Sequence, residues 1–500
     1  MKQIINKTFY CLLVVYIVLI LLISFKVISK YTLHFEIFSF LLAAFSIFIA
    51  KKQKIEINEK LIFIPLIIVI LSRFIPYLTN SIPLGYDVGI YKYAIESFPN
   101  LIDKWSLGTF PPLFLILTSL INKLTTINFT LTLFLIILEV ILSLVLYITV
   151  KSYFNKESAF FAIIFFSLSV IQFKLFSYLY FKNLIALILL LLSFYLLQKN
   201  KRILFIISCV SIAGIHRPTF LIFALSYFIL FLISKNKLKN IINGVFIIVL
   251  SIPIYLDNFK ELLLDYVQPL IQANIGAGTF VNFFQYQFLS LVYLPFALIG
   301  FIHLIKRRKF NILLISSFIT SIIVYFQIIF FNRFIIHLDL FLIIFAGYGL
   351  LIVVQNKKLV GILITALLLI SGLIIIINQS IISGPLIDEE ELKIIESLQS
   401  VEENSFIMAT SSYYSPWLLG YSKRRVIAPG LFDYNMWDVK KWNEFWNTTD
   451  TDRAVNILHD YEKPLYVFIG KNQLFRPVYE SPCFEKIINT RHTYVYKLKC

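Results

Sequence analysis

The sequence predicts a polytopic α-helical membrane protein of about thirteen spans, followed by a C-terminal extracytoplasmic α/β domain. Three observations lead there. Hydrophobic residues make up 59 % of the 500-residue chain and charged residues only 15 %, where an average soluble domain carries about 25 % charge. The apolar residues fall in long runs separated by short Lys/Arg clusters. Beyond Asn378 the long runs stop and charge of both signs returns. Disorder is excluded by the apolar content.

A membrane-crossing helix needs about 20 mostly apolar residues, because the hydrocarbon core is about 30 Å thick and each residue rises about 1.5 Å. Candidate spans lie, in chain order, at 9–29, 33–50, 61–78, 128–150, 158–174, 183–198, 203–215, 219–233, 241–256, 288–305, 310–330, 338–354 and 359–378. The first is too long for a signal-peptide core and has no small-residue cleavage pattern after it, so it reads as an uncleaved anchor. Lys51-Lys52-Gln53-Lys54, Lys199-Asn200-Lys201-Arg202, Lys235 to Lys239 and Lys306-Arg307-Arg308-Lys309 punctuate the runs.

Cytoplasmic loops are enriched in Lys and Arg. With the N-terminus in the cytoplasm, the segments on that side hold 20 Lys/Arg in 44 residues, and the opposite loops hold eight in about 100. Pro111 to Lys123 is short and opens on Pro111-Pro112. It reads as a helix lying in the outer interface, which keeps every later cluster inside. Residues 1–378 are then a membrane domain with a first large external loop at 79–127, and 379–500 is the external α/β domain.

That tail has a net charge of −2. An amphipathic helix is expected from Asp388 to Leu398, with strand-like runs at Phe406–Ala409, Leu465–Ile469 and Tyr494–Leu498. With the chain at +17, the membrane part therefore carries +19, chiefly as the orientation signal. Nucleic acid is not needed to explain it. Cys11 and Cys209 fall in apolar spans, whereas Cys483 and Cys500 flank the last strands, where a disulfide is feasible. No Cys/His spacing suited to a metal occurs,.

The residues that could carry chemistry lie mostly on the outer side. In Leu84-Gly85-Tyr86-Asp87-Val88-Gly89-Ile90-Tyr91, Asp87 stands after a Pro/Gly turn and before a helix-like run. It suits an N-cap; the functional reading is a general base at the membrane's outer face. Tyr91 shares its helical face, and Glu96 faces away. In Gly214-Ile215-His216-Arg217-Pro218-Thr219 a short span ends and a helix begins. A helix N-terminus with Arg217 and His216 is a natural anion site, although a turn with a snorkelling Arg explains the same residues. Lys182-Asn183 and Asn332-Arg333, followed by His337 and Asp339, are further outer polar spots.

Charges near lipid are usually paired or functional. Glu36, Arg73 and Glu139 read as structural pairs whose partners are not legible. The tail segment Tyr413-Tyr414-Ser415-Pro416-Trp417 and the run Arg425 to Gly430 are read either as core packing or as sugar-stacking surfaces,.

This combination resembles the GT-C glycosyltransferases: many spans, an acid in the first large external loop, an outer-interface helix beginning Pro-Pro-Leu and a C-terminal α/β domain. The family includes protein O-mannosyltransferases, the lipid A aminoarabinose transferase and the oligosaccharyltransferase catalytic subunit. Leu84-Gly85-Tyr86-Asp87, Arg333-Phe334-Ile335-Ile336-His337-Leu338-Asp339 and Tyr414-Ser415-Pro416-Trp417 look like those of its prokaryotic members.

The resemblance implies transfer of a sugar from a polyprenyl- or dolichyl-phosphate carrier to an acceptor, at the outer face of the cell membrane. Asp87 would be the catalytic carboxylate. Arg217, His216, Arg333 and Lys182 would bind the donor phosphate. Tyr86, Tyr91, His337, Tyr414 and Trp417 are the candidate substrate and acceptor contacts. The partners implied are the lipid-linked donor, membrane lipids and an acceptor.

One departure bears on metal use. Oligosaccharyltransferases carry a second acidic motif where this chain has the acid-free stretch Gln172 to Asn183, and the tail lacks their Trp-Trp-Asp-Tyr-Gly sequence. Divalent cations need carboxylate oxygens, so no metal or other cofactor is expected. The rival readings are a transporter or flippase of lipid-linked glycans, and a polymerase or ligase using a diphosphate-linked donor.

Overall fold

Long apolar helices carry most of the chain in the computed structural model, which describes residues 2–24, 39, 42–44, 54–100, 109–255, 281–328, 330–356, 358–473 and 476–500. In order these are α1 (Lys2–Ser24), α2 (Phe63–Phe74), α3 (Val88–Ser97), α4 (Pro112–Leu124), α5 (Leu133–Tyr153), α6 (Lys156–Leu168), α7 (Val170–Ser177) and α8 (Phe181–Gln198). Then come α9 (Arg202–Ala213), α10 (Arg217–Ile233), α11 (Lys237–Tyr255), α12 (Phe283–Ser290), α13 (Leu294–Lys306), α14 (Ile312–Tyr325), α15 (Ile335–Asn356) and α16 (Lys358–Ile382). The remainder holds α17 (Glu389–Ser397), β1 (Phe406–Ala409), α18 (Ser415–Ser422), β2 (Arg425–Ile427), α19 (Val439–Asn447), α20 (Thr451–Leu458), β3 (Leu465–Ile469), β4 (Phe484–Asn489) and β5 (Tyr494–Leu498).

The chain forms two compact units. One comprises Met1–Asn80 with Leu133–Ser383, the other Ser81–Thr132 with Gly384–Cys500. The first large loop, expected to belong with the membrane domain, therefore groups with the tail.

In the first unit, helices occupy the proposed span positions, except that 33–50, with Glu36, lies almost wholly outside the described residues. Among the described residues six helices are long and apolar enough to cross a membrane, or up to eight if each bent pair counts as one; several others are shorter apolar helices. Two expected continuous spans are broken. The stretch 158–174 is α6 and α7, bent by 56° at Ser169, and 288–305 falls on α12 and α13, bent by 80°. Ser169 has an extended backbone, and its hydroxyl accepts from the Gln172 N–H at 3.2 Å, so it ends one helix and caps the next,. Pro295 in the first turn of α13 does the equivalent work, since a helix start needs no N–H from it,.

Helix α15 is the centre of this unit. The apolar window around it is 94 % buried, against 17 % for that of α11. It packs on α6, α13, α14 and α16. At the α13–α15 crossing Gly300 and Gly349 bring the backbones together: a Cβ on Gly349 would stand 1.9 Å from the Phe296 carbonyl oxygen. Small residues at helix crossings are what packing in lipid selects, because tails are as apolar as leucine and only close contact distinguishes a neighbour. The outward surface is apolar, with Ile203, Phe246 and Ile362 exposed.

Arg73 on α2 and Glu139 on α5, expected as structurally paired charges whose partners could not be named, pair with each other. Their side chains are fully buried, with Nη2 to Oε2 at 3.2 Å. A second guanidinium nitrogen donates to Ser72 Oγ at 2.9 Å, and the rings of Phe166 and Phe173 face the guanidinium at 5.9 and 5.6 Å.

The second unit is a mixed five-stranded sheet in the order β2-β1-β3-β5-β4. β1 runs parallel to β2 and β3, and β5 runs antiparallel to β3 and β4. Three strands match the expected runs. β2 is only three residues, and β4 exposes half of its side chains, so neither has a clear apolar alternation. Helix α17 starts on a capping box between Asp388 and Glu391,. Trp437, Trp442, Phe445, Val467 and Tyr496 form the core. A disulfide joins Cys483 to Cys500, fastening the chain end beside β4.

Candidate active site

The expected site residues divide between the two units, and each group is described within its own unit.

In the second unit, Asp87 stands at the N-cap position of α3. Its backbone carbonyl accepts from the Tyr91 N–H at 2.9 Å, but its carboxylate makes no capping bond. The cap explanation therefore does not account for this acid. The side chain is half-buried. Tyr86 beside it donates to the Ser412 carbonyl at 2.6 Å. Burial pushes the Tyr86 phenol up, bonds to Ser412 and Ser415 oppose that, and the Asp87 charge adds to the rise.

Helix α3 lies on α18 at a glycine crossing. A Cβ on Gly89 would stand 1.8 Å from the Pro416 carbonyl oxygen, and one on Gly420 would stand 2.3 Å from the Gly89 carbonyl oxygen. Backbone meets backbone there, two residues from Asp87.

Three expected acceptor contacts are core residues instead. Tyr91 is 4 % exposed, edge-on to Phe110 and Phe114. Trp417 is fully buried and stacked on Tyr421. Tyr414 is fully buried; its hydroxyl donates to Glu391 at 2.8 Å and accepts from the Asn472 N–H at 2.9 Å. Large rings in a small sheet domain bury more surface inside than they could offer to a ligand. Of the five, Tyr86 stays beside Asp87.

In the first unit the cationic residues converge. His216 is the N-cap of α10 and Arg217 its first residue, Lys182 is the second residue of α8, and Arg333 lies in the turn that leads into α15. The charges of Lys182, Arg333 and Arg217 all act on His216. His337, expected at the acceptor, belongs here: it is fully buried on α15. Thr219 holds the group together. Its hydroxyl lies 2.7 Å from His216 Nδ1 and 2.8 Å from His337 Nε2, and the two imidazoles are nearly parallel. One hydroxyl has one proton, so it donates to one ring and accepts from the other, and the two tautomers are tied.

The position of these cations is informative. A helix N-terminus carries about half a positive charge and favours anions. Lys182, Arg217 and Arg333 each sit in or just before a first turn that contains no acid. Cationic side chains at helix N-termini suit an anion such as a phosphate. Arg333 is further fixed by the Phe330 ring, 5.3 Å from its guanidinium.

A neighbouring network escaped the sequence reading. Asp339, fully buried on α15, accepts from Ser169 at 2.9 Å, from Gln172 at 2.8 Å and from Tyr293. Ser169 is the break between α6 and α7, and Tyr293 immediately precedes α13. One carboxylate thus ties both broken spans together. Thr219 had a readable signal, three residues after a capping His; the Asp339 partners, far off in sequence, had none.

No protein-family model matches the sequence. No curated protein matches it by sequence either. Solved structures do match in fold. The oligosaccharyltransferase AglB of Archaeoglobus fulgidus, in complex with an inhibitory peptide and a dolichol-phosphate, aligns with a TM-score of 0.61 at 13 % identity, over 81 % of this chain and 69 % of that one. ArnT from Cupriavidus metallidurans, bound to undecaprenyl phosphate, aligns with a TM-score of 0.57 at 10 % identity, over 88 % and 97 %. The chain has the GT-C fold. Another structure of the A. fulgidus oligosaccharyltransferase, with a TM-score of 0.57 at 13 % identity over 81 % of this chain and 67 % of that one, is a complex with zinc and sulfate. In the present chain no group of three or more His, Cys, Asp or Glu is placed to hold a metal ion among the described residues.

Proposed function

We propose that this chain is a multi-pass membrane glycosyltransferase that moves a sugar from a polyprenyl phosphate carrier to an acceptor on the extracytoplasmic face. Its N-terminus is cytoplasmic and its α/β unit lies outside. The observation that carries this reading is the set of cations at three helix starts, Lys182, Arg217 and Arg333, around the His216–Thr219–His337 bridge. The similarity to GT-C structures holding dolichol-phosphate and undecaprenyl phosphate supports the same donor class.

The reading gives each group its own part in the transfer. An acceptor hydroxyl or amine attacks the anomeric carbon, its proton passes to the Asp87 carboxylate, and the anomeric carbon–oxygen bond breaks. The electron pair stays on the phosphate oxygen, and the configuration at the anomeric carbon inverts. The leaving phosphate gains negative charge as that bond breaks, so fixed cations aimed at it favour the transition state over the ground state.

Asp87→Asn should abolish glycan transfer in membranes while the protein is still produced; full retained activity refutes the assignment. Arg217→Ala and Arg333→Ala should weaken polyprenyl phosphate binding. Covalent transfer by purified protein in detergent separates this reading from a flippase, which needs a sealed compartment.

A further inference from the structure

We propose that a cleft in the second unit, separate from Asp87, is a binding site for an acidic saccharide. The cleft has a volume of about 510 Å³, within the range of ligand pockets. It is lined by the end of α18 running into β2, where Lys423, Arg424 and Arg425 follow one another. The half-buried residues Tyr93, from α3, Phe432 and Tyr434 also line it.

The charges there are positioned, and the cations outnumber the acids. Arg424 donates to the backbone carbonyls of Val401 at 2.8 Å, Lys423 at 3.3 Å and Gln399. Carbonyl dipoles hold that guanidinium in place without cancelling its charge. Arg425 lies over the rings of Phe406 and Tyr434, at 5.4 and 5.8 Å. Lys423 is exposed on a left-handed backbone, φ +53°. Among the described residues none of these three forms an ion pair. Glu96, at the rim, is taken by Lys92 at 2.6 Å, which leaves Glu403 as the opposing acid. A site with a surplus of fixed cations selects an anion, and prior fixation lowers the entropy lost on binding. Flat rings beside such cations suit a sugar, whose C–H face stacks while its carboxylate or sulfate meets the arginines.

The cleft is independent of the reacting carboxylate. Tyr93 and Glu96 lie six and nine residues after Asp87, on the other side of α3 and about 9 and 14 Å along it. The inference therefore goes beyond the transferase reading and can fail without it.

The test uses the full chain in detergent, with a glucuronate-containing tetrasaccharide as probe and maltotetraose and tetraglutamate as comparisons, by calorimetry. The acidic tetrasaccharide should bind more tightly than either comparison. Lys423→Asn with Arg425→Gln should weaken it about tenfold; asparagine keeps the left-handed backbone accessible. Lys423→Asn alone, at an exposed position, should weaken it by a smaller factor if the double variant fails to fold. Lys393→Gln with Lys440→Gln removes two exposed charges outside the cleft and should leave binding unchanged, as should Asp87→Asn. The proposal is overturned if no acidic saccharide binds. It is equally overturned if maltotetraose or tetraglutamate binds as well, or if the off-cleft pair weakens binding as much. Loss of transfer in Asp87→Asn with saccharide binding intact would separate the two sites.

Discussion

Gly89→Ala is the most direct probe of how Asp87 is held. The added Cβ would stand 1.8 Å from the Pro416 carbonyl oxygen, 2.4 Å from its carbon and 2.9 Å from the Trp417 Cα. A carbon and a carbonyl oxygen approach no closer than about 3.3 Å in even favourable contacts, so α3 and α18 must part by about 1.5 Å. All three obstacles are backbone, and no side-chain rotation can relieve them. Overpacking of this kind costs about 1–3 kcal/mol and sometimes more, set against a gain of about 1 kcal/mol for alanine over glycine in a helix. Backbone against backbone puts the clash at the upper end, about 3 kcal/mol, which leaves a net loss of about 2 kcal/mol.

The second unit spans Ser81–Thr132 and Gly384–Cys500, a size at which each kcal/mol moves Tm by about 2–4 °C. A fall of about 4–8 °C is expected. All five tryptophans lie within those ranges, so a fluorescence melt in detergent reports on this unit. Gly384→Ala, with no atom within 4 Å of the new Cβ, is the control and should melt as the parent does. Transfer should fall by up to about 100-fold, because a displacement of about 1 Å can cost that much at a reacting group. Gly420→Ala, whose Cβ would meet the Gly89 carbonyl at 2.3 Å, should behave alike, and the double variant should be less than additive, since both force apart the same crossing. A Gly89→Ala protein that melts at or above the parent refutes the backbone contact.

Other expectations are as sharp. Arg73→Met or Glu139→Met alone should cost about 3–5 kcal/mol by leaving a lone buried charge, and the double replacement should recover most of it; additive losses in detergent melts would refute the pairing. Thr219→Val removes both imidazole bonds without changing shape and should raise the KM for the lipid donor, with Thr219→Ser restoring it; a valine variant with unaltered donor dependence refutes the bridging role. Glu402 accepts from Lys497 and Tyr466, and those bonds hold its carboxyl down to about 2. An unfolded glutamate titrates at about 4.3, so the unfolded chain binds more protons between those values; the contribution is present above that window and lost as pH falls through it. Its side chain is 48 % exposed, which keeps the effect small. Glu402→Gln should flatten the acid limb in tryptophan-monitored unfolding, and an unchanged limb argues against it.

Much of this molecule is legible in one dimension. Helix positions follow from apolar runs because an isolated span must satisfy its own backbone in lipid. Phe406–Ala409, Leu465–Ile469 and Tyr494–Leu498 are readable as strands because each is a short β-branched or aromatic run between turns,. The proposed orientation rests on the basic loops, and the anion site proposed around Arg217 rests on a helix start and a cation together. Asp87 stands out as an acid beside a turn.

The tertiary structure decided what depends on distant partners. Arg73 and Glu139 are 66 residues apart, Thr219 and His337 are 118 apart, and Ser169 and Asp339 are 170 apart. No periodicity encodes such pairs. The breaks at Ser169 and before Pro295 were hidden inside unbroken apolar runs, because hydrophobicity reports burial and not continuity. Tyr91, Tyr414 and Trp417 looked like ligand contacts by residue type, but burial alone distinguishes a core ring from a binding one. The same holds for the loop 81–132. Its sequence lies between spans, yet the glycine crossing of α3 and α18 fastens it to the tail, since two helices without side chains at their contact gain more from each other than from water,.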